Sequence, residues 1–332
     1  MIVSNSITGG GAEISMMRLF LALRNKNFLV SLCALNEDGI TRNPAQGMVV
    51  IGRSWGAGPL GTLRSLRKFR QHLKQEKPDI MLVNCELPEL YVSLCASKGS
   101  NLIIVEHTSR PWYGRRPLGF IVRSILLLRR ARWVTVSRDR YPIWPYSIDP
   151  IFIPNAHAQD NSSIPANSAE LVFVGRLNHG KHPEIVAEAA RLTNSTADFY
   201  GDGPDLGNLK QKYDESQIRF HGFIENPWRK ISPTSLVIVA SEYEGDGMNV
   251  IEAVANGNPI LLADNSDLRR FNFPEGNYFK SLDELNSKIR DSKRVGTKPL
   301  KLPHSIRTKL LEEREPNKVS EQWIKLFYGE DL

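Results

Sequence analysis

Residues 171–190 read LVFVGRLNHGKHPEIVAEAA. Four apolar residues, Leu171–Val174, run without a break into Gly175 and Arg176. A short, unbroken apolar run of this kind suits a strand buried on both faces, as a parallel sheet covered by helices requires. The rhythm repeats downstream. Strand-like runs fall at 197–200, 218–220, 236–239 and 259–262, with helical patterns between them and a terminal helix expected over about 304–327. It also repeats upstream, at 2–4, 28–34, 48–51, 80–84, 102–105 and 133–136, with helices expected over about 13–24, 59–76, 88–98 and 117–131. Between the two series, residues 156–168 are polar, rich in Ser and Pro and without periodicity, which predicts a linker.

Alternating strands and helices in two series predict an α/β chain of two doubly wound parallel-sheet domains. The length agrees, because 332 residues exceed the size at which one core usually stops growing. The expected boundaries are 1–155 for the first domain, 169–305 for the second, and 306–332 for a terminal helix returning toward the first. Ligands of such sheets bind at the carboxyl ends of the strands, so paired domains predict a cleft there.

Composition narrows the function classes. Hydrophobic residues make up 41% and charged residues 24%, ordinary for a globular protein. Cys33, Cys85 and Cys95 fall in neither a disulfide framework nor a metal-ligand spacing, which suits a reducing compartment. With no basic start followed by an apolar segment, and no bilayer-length apolar run, the expected location is cytoplasmic. Charge is segregated: 21 Lys and Arg stand against 10 Asp and Glu through residue 155, and 22 against 26 beyond it. The excess gathers in Arg64, Arg67, Lys68, Arg70 and Lys74, and in Arg110, Arg115, Arg116, Arg123, Arg129, Arg130 and Arg132. Apolar residues interleave the second group, which predicts peripheral contact with an anionic membrane, on the inner face of the cytoplasmic membrane. Aromatics are not spaced as a base-stacking platform and no nucleic-acid motif is present, so DNA and RNA are excluded as partners.

Three turns carry candidate chemistry. Gly9-Gly10-Gly11 joins a strand to a helix, where free N–H groups can meet a phosphate. Arg176 and Lys181 follow the strand 171–174, and two cations there suit a diphosphate. Glu244 and Glu252 follow the strand 236–239, and carboxylates can accept hydrogen bonds from sugar hydroxyls. Each pattern also has a plain structural reading, as a tight turn, solvated cations or a helix-dipole carboxylate.

The stretch 244–260, EGDGMNVIEAVANGNPI, with seven residues between Glu244 and Glu252, resembles the signature of the retaining glycosyltransferase family 4. Six further landmarks of that family occur upstream in order: GGGAE (9–13), VEHTS (105–109), VTVS (134–137), FIPNAH (152–157), FVGRLNHGKHP (173–183) and YGDGPDLGNLKQ (200–211). The resemblance covers essentially the whole chain. It implies a GT-B fold, with two Rossmann-like domains facing each other across a cleft, and a nucleotide diphosphate sugar as donor, a UDP-sugar by preference. It implies donor contacts from Gly10, Gly11, Gly175, Arg176, Lys181, Gly247, Met248, Asn249, Val250 and Glu252. His107, Glu244, Arg176 and Lys181 are implied at the reacting centre. The implied chemistry is front-face transfer with retained anomeric configuration and no metal, in keeping with the absence of an Asp-x-Asp triplet. A saccharide acceptor, lipid-linked, in surface polysaccharide or glycan assembly is the expected partner. Asp246 and Asn249 depart from the family pattern, and DNSDLRRF (264–271) follows it loosely. Two other readings use the same architecture: a UDP-N-acetylglucosamine 2-epimerase and an inactive scaffold subunit.

Overall fold

The computed structural model describes residues 1–7, 9–37, 46–54, 56–108, 111–137, 143–158, 169–213, 216–294 and 300–330. Most of the expected linker, 159–168, lies outside the described residues, as does Arg110. The chain divides into two compact units, Met1–Ala156 with Arg314–Leu332, and His157–Glu313.

The first unit runs β1 (Ile2–Ser4), α1 (Gly11–Asn25), β2 (Leu32–Asn36), β3 (Met48–Arg53), α2 (Pro59–Glu76), β4 (Ile80–Asn84), α3 (Glu86–Cys95), β5 (Asn101–Glu106), α4 (Arg116–Leu128), β6 (Arg132–Thr135) and β7 (Ile151–Phe152). Its seven-stranded sheet has the order β3-β2-β1-β4-β5-β6-β7, and every pair is parallel. The central strands are sealed on both faces. Met81, Leu82 and Val83 of β4 and Ile103, Ile104 and Val105 of β5 are at most 2% exposed. Each such side chain contributes roughly 1.5–3 kcal/mol of burial.

The second unit runs β8 (Leu171–Val174), α5 (Pro183–Leu192), β9 (Ala197–Tyr200), α6 (Leu206–Tyr213), β10 (Ile218–Gly222), β11 (Leu236–Val239), α7 (Met248–Asn256), β12 (Ile260–Ala263), α8 (Ser266–Arg269), β13 (Tyr278–Phe279), α9 (Leu282–Ser292) and α10 (His304–Glu312). Its six-stranded parallel sheet has the order β10-β9-β8-β11-β12-β13. In both sheets the order reverses beside the first strand, so the loops after β1 and β4, and after β8 and β11, diverge at a switch point.

The terminal helix differs from its expectation. Instead of one helix over 304–327, α10 belongs to the second unit and α11 (Pro316–Tyr328) to the first. Pro316 cannot continue an existing helix but suits a first turn, and the Glu315 carboxylate caps that turn by accepting from Lys318 N–H at 2.8 Å. α11 then buries Val319, Trp323 and Leu326 in one cluster with Met16, Leu19, Phe20 and Leu23 of α1.

Three other expectations shift. β2 begins at Leu32 rather than Phe28, because register with β1 pairs Ile2 with Leu32, and Leu29 is left fully exposed. β7 and β13, two residues each, are too short to stand out in a sequence. The basic segment after residue 110 is not wholly a surface feature. Arg123 is 0% exposed and bonds Glu89 Oε1 at 2.7 Å and Glu106 Oε2 at 2.6 Å, because burying two carboxylates requires a cation among them. Arg129 and Arg132 are half-buried and donate to the carbonyls of Ala96 and Leu326. Arg115, Arg116 and Arg130 remain exposed, as do Arg64, Arg67, Lys68, Arg70 and Lys74 on α2. Among the described residues no helix is long and apolar enough to cross a membrane.

Candidate functional site

In the second unit the loops after β8, β9 and β11 form one polar cluster, and backbone fit explains why glycines stand in them. The carbonyl of Gly175 packs on Gly201, where an added Cβ would lie 1.9 Å from that oxygen. Gly175 N–H donates to Tyr200 O at 3.0 Å and Leu177 N–H to Asp202 O at 2.9 Å, holding the two loops together. Arg176 is thereby left exposed at the carboxyl end of β8, and its guanidinium has no partner among the described residues. Five residues on, a short 3-10 helix (His179–Lys181) carries Lys181 back toward β11. Its Nζ lies 2.7 Å from Glu244 Oε1.

Glu244 is 8% exposed, and its placement is tightly specified. The same Oε1 accepts from Ser241 Oγ at 2.7 Å, Glu244 N–H donates to Asp267 Oδ2 at 2.9 Å, and Arg270 Nη2 reaches its carbonyl at 3.4 Å. Asn265 Nδ2 donates to Ser241 O at 2.8 Å, so α8 and its flanks brace the turn. Gly247, at φ +71°, then bends the chain into α7; an L side chain is strained there, and its Cβ would strike the Phe271 ring at 2.7 Å. Met248 opens α7. Asn249 Nδ2 donates to Val174 O at 3.3 Å, tying α7 to the end of β8, while Val250 is fully buried. One turn further, Glu252 Oε2 accepts from Trp228 Nε1 at 2.6 Å. Asp246, a departure from the family pattern, is 6% exposed within this same turn.

The first unit carries the remaining predicted residues. Gly10 and Gly11 are exposed at the start of α1, where Gly10 N–H donates to Glu13 Oε2 at 3.1 Å. Asn5 Nδ2 lies 3.4 Å from the other oxygen of that carboxylate. His107 follows β5, and its Nε2 is buried with no hydrogen-bond partner among the described residues. Burial pushes its pKa down to about 4, which keeps the imidazole neutral. Immediately before it, Glu106 is pushed up to about 7 by burial, against the pull of Arg123 and with the added push of Glu89. Glu89 is also raised by burial; it accepts from Arg123 and, at 2.8 Å, from Trp112 Nε1.

Arg176, Lys181, Glu244, Gly247, Met248, Asn249 and Glu252 thus gather at the carboxyl ends of two neighbouring strands, β8 and β11. Gly10, Gly11 and His107 sit at the carboxyl ends of β1 and β5, with β4 between those strands. Lys181 and Glu244, expected on different parts of a ligand, bond each other. Sequence reasoning missed Trp228, Ser241, Asp267 and Arg270, which orient the glutamates. It also missed Glu89 and Glu106, whose partner Arg123 was hidden among exposed arginines. Glu106 lay inside the VEHTS landmark, the one signal that marked it.

Known proteins resemble this chain over both units. Residues 9–139 match the model for Glycosyltransferase Family 4, and residues 156–277 match that for Glycosyl transferases group 1. Over 97 residues the chain is 32% identical to the O-antigen biosynthesis glycosyltransferase WbnH of Escherichia coli, covering 29% of this chain and 28% of WbnH. Over 111 residues it is 24% identical to the poly(glycerol-phosphate) alpha-glucosyltransferase of Bacillus subtilis (strain 168), covering 31% of this chain and 16% of that protein. The chain therefore spans less than a third of the length of the curated relatives it matches. The crystal structure of Anabaena Alr3699/HepE in complex with UDP and glucose superposes with a TM-score of 0.77 at 16% identity, covering 99% of each chain. The sucrose-phosphate synthase of Thermosynechococcus elongatus superposes with a TM-score of 0.76 at 16% identity, over 99% of this chain and 98% of that one. At such identities the superpositions speak for the fold alone. Two family matches that together reach from residue 9 to residue 277, on two parallel-sheet units of GT-B architecture, make this chain a family 4-type glycosyltransferase.

Proposed function

We propose that the protein transfers a hexose or N-acetylhexosamine from a nucleotide diphosphate sugar, preferentially a UDP-sugar, to a saccharide acceptor, with retention of anomeric configuration. The observation that carries the reading is the cluster at the ends of β8 and β11. Arg176 stands exposed after β8, the Lys181 ammonium bonds the Glu244 carboxylate, and Glu252, held by Trp228, lies on α7 after β11.

On this reading Arg176 and Lys181 take up the diphosphate. They stabilise the charge that grows on it as the glycosidic bond breaks, which is where fixed cations accelerate such a reaction. Incoming phosphate oxygens compete with Glu244 for the Lys181 ammonium, which leaves the Glu244 carboxylate to the hydroxyls of the transferred sugar. Glu252, oriented by Trp228, accepts from the ribose hydroxyls, and Gly175 and the turn Gly247–Val250 bring backbone close to the donor. The departing phosphate oxygen takes the acceptor's proton on the attacking face, a step that asks positioning of the protein and no metal.

The acceptor is proposed to be lipid-linked, in surface polysaccharide or glycan assembly, on the cytoplasmic side of a membrane. The names of the two curated relatives, an O-antigen and a poly(glycerol-phosphate) glycosyltransferase, favour polymer assembly. Exposed Leu118, Ile121 and Leu128 of α4, with Arg115, Arg116 and Arg130 at its ends and five exposed cations on α2, favour an anionic leaflet.

The test is a thermal shift series with UDP, GDP, ADP and their sugar conjugates, followed by transfer assays with the stabilising donor. A donor at a hundredfold excess over Kd stabilises the native state by about 2.7 kcal/mol. The expected result is a selective response to UDP and its sugars, lost in Glu252→Ala, and an α-linked product from an α-linked donor. No response to any nucleotide, or an inverted product, would overturn the reading.

A further inference from the structure

The loop that carries Arg176 and Lys181 also holds a group of side chains for which the transfer chemistry has no use. Residues 179–184 read HGKHPE. His179 opens the short 3-10 helix, His182 stands at φ +49° between that helix and α5, and Glu184 lies in the first turn of α5. The left-handed step at His182 folds these residues back on one another. The two imidazole rings meet edge to face with centroids 5.1 Å apart, and His182 Nδ1 lies 2.8 Å from Glu184 Oε1. One ligand atom from each of the three residues falls within 4.8 Å of the other two.

We propose that His179, His182 and Glu184 bind a divalent first-row transition metal ion of the zinc class, which pins the loop between β8 and α5. Two imidazoles and one carboxylate form a nitrogen-rich donor set that suits zinc and its neighbours and leaves magnesium or calcium, which want oxygen, poorly served. Zinc bonds of about 2.0–2.2 Å place tetrahedral ligands roughly 3.3 Å apart. The close His182–Glu184 pair opens slightly to admit the ion, and the widest separation closes by about 1.5 Å on that same geometry. His179 is exposed, so a side-chain rotation accomplishes the closure with the backbone in place. Lys181, between the two histidines in the chain, is already engaged by Glu244 at 2.7 Å and does not oppose the ion unpaired. Three protein ligands leave a coordination position for water. The ion stands outside the transfer reaction and is consistent with metal-free chemistry at the diphosphate.

The experiment uses the full chain with any affinity tag removed. Protein stripped by a chelator is dialysed against zinc and its bound metal counted by elemental analysis; the same protein titrated with cobalt is followed by visible absorption. His179→Ala alters an exposed side chain, and His182→Asn keeps a residue that tolerates the left-handed backbone; circular dichroism establishes that both are folded. The expected result is one zinc per chain, four-coordinate cobalt bands, and affinity lowered at least tenfold in each variant and in Glu184→Gln. Substoichiometric zinc in the wild type, or a full equivalent retained by both histidine variants, overturns the proposal. Neither readout depends on activity, so failure here and failure of the proposed function are told apart.

Discussion

Replacing His107 by Gln should change how stability depends on pH, by an amount that follows from the burial of one nitrogen. His107 Nε2 is buried without a hydrogen-bond partner, and its pKa falls from 6.5 to about 4. The unfolded chain therefore binds a proton below pH 6.5 that the folded chain refuses until about pH 4. Stability from this group is complete above 6.5 and is lost as pH falls through that window. Linkage over a descent from about pH 7.5 to about pH 4.5 gives a loss of roughly 2.5 kcal/mol. Because the ring is only half-buried, solvent screening reduces this to about 2 kcal/mol. Gln does not titrate and escapes the loss. Glu106 acts in the opposite sense: with its pKa raised to about 7, it favours the folded state as pH falls from 7 toward 4.5. That contribution is common to both proteins and cancels in their difference. Urea unfolding followed by tryptophan fluorescence is the assay. Trp112, Trp133, Trp144 and Trp323 lie in the first unit with His107, and Trp228 alone of the described tryptophans lies in the second. The variant should gain about 2 kcal/mol on the wild type between the two pH values. An identical difference at both would refute the reasoning, since it would mean an imidazole that is solvated or already paired.

Two further outcomes follow from single contacts. Arg123→Met leaves Glu89 and Glu106 buried without their guanidinium and should cost about 3–5 kcal/mol near neutral pH. The cost should shrink in acid, as the two carboxyls take up protons; equal destabilisation at neutral and acidic pH would contradict it. Trp228→Phe removes the indole N–H that holds Glu252 at 2.6 Å and keeps most of the apolar packing. It should weaken UDP binding about tenfold because Glu252 is no longer held in place, and it should also lower Tm, since a charge-assisted hydrogen bond within the folded chain is lost. Calorimetric titration with UDP gives the answer, and unchanged affinity would remove the Trp228–Glu252 pair from the donor site.

The sequence by itself determined the α/β class, the two series of strands and most of the residues at the strand ends. Those properties are local. An apolar run of four to six residues such as Leu171–Val174 declares a covered strand, and a glycine turn such as Gly245–Gly247 declares a tight bend, whatever lies around them. The break at Pro316 was also legible in principle, because proline starts helices and does not continue them. What only the tertiary structure decided are contacts between residues far apart in the chain. Arg123 reads as one more exposed cation until Glu89 and Glu106, 34 and 17 residues away, are found on either side of its guanidinium. Trp228 reads as core until its indole N–H is found on Glu252. Lys181 and Glu244, 63 positions apart by their numbering, become a pair only because β8 and β11 are neighbours in the sheet. Strand order is set by packing summed over whole sheets, which no local pattern encodes. The orientation of side chains at the strand ends follows from that order.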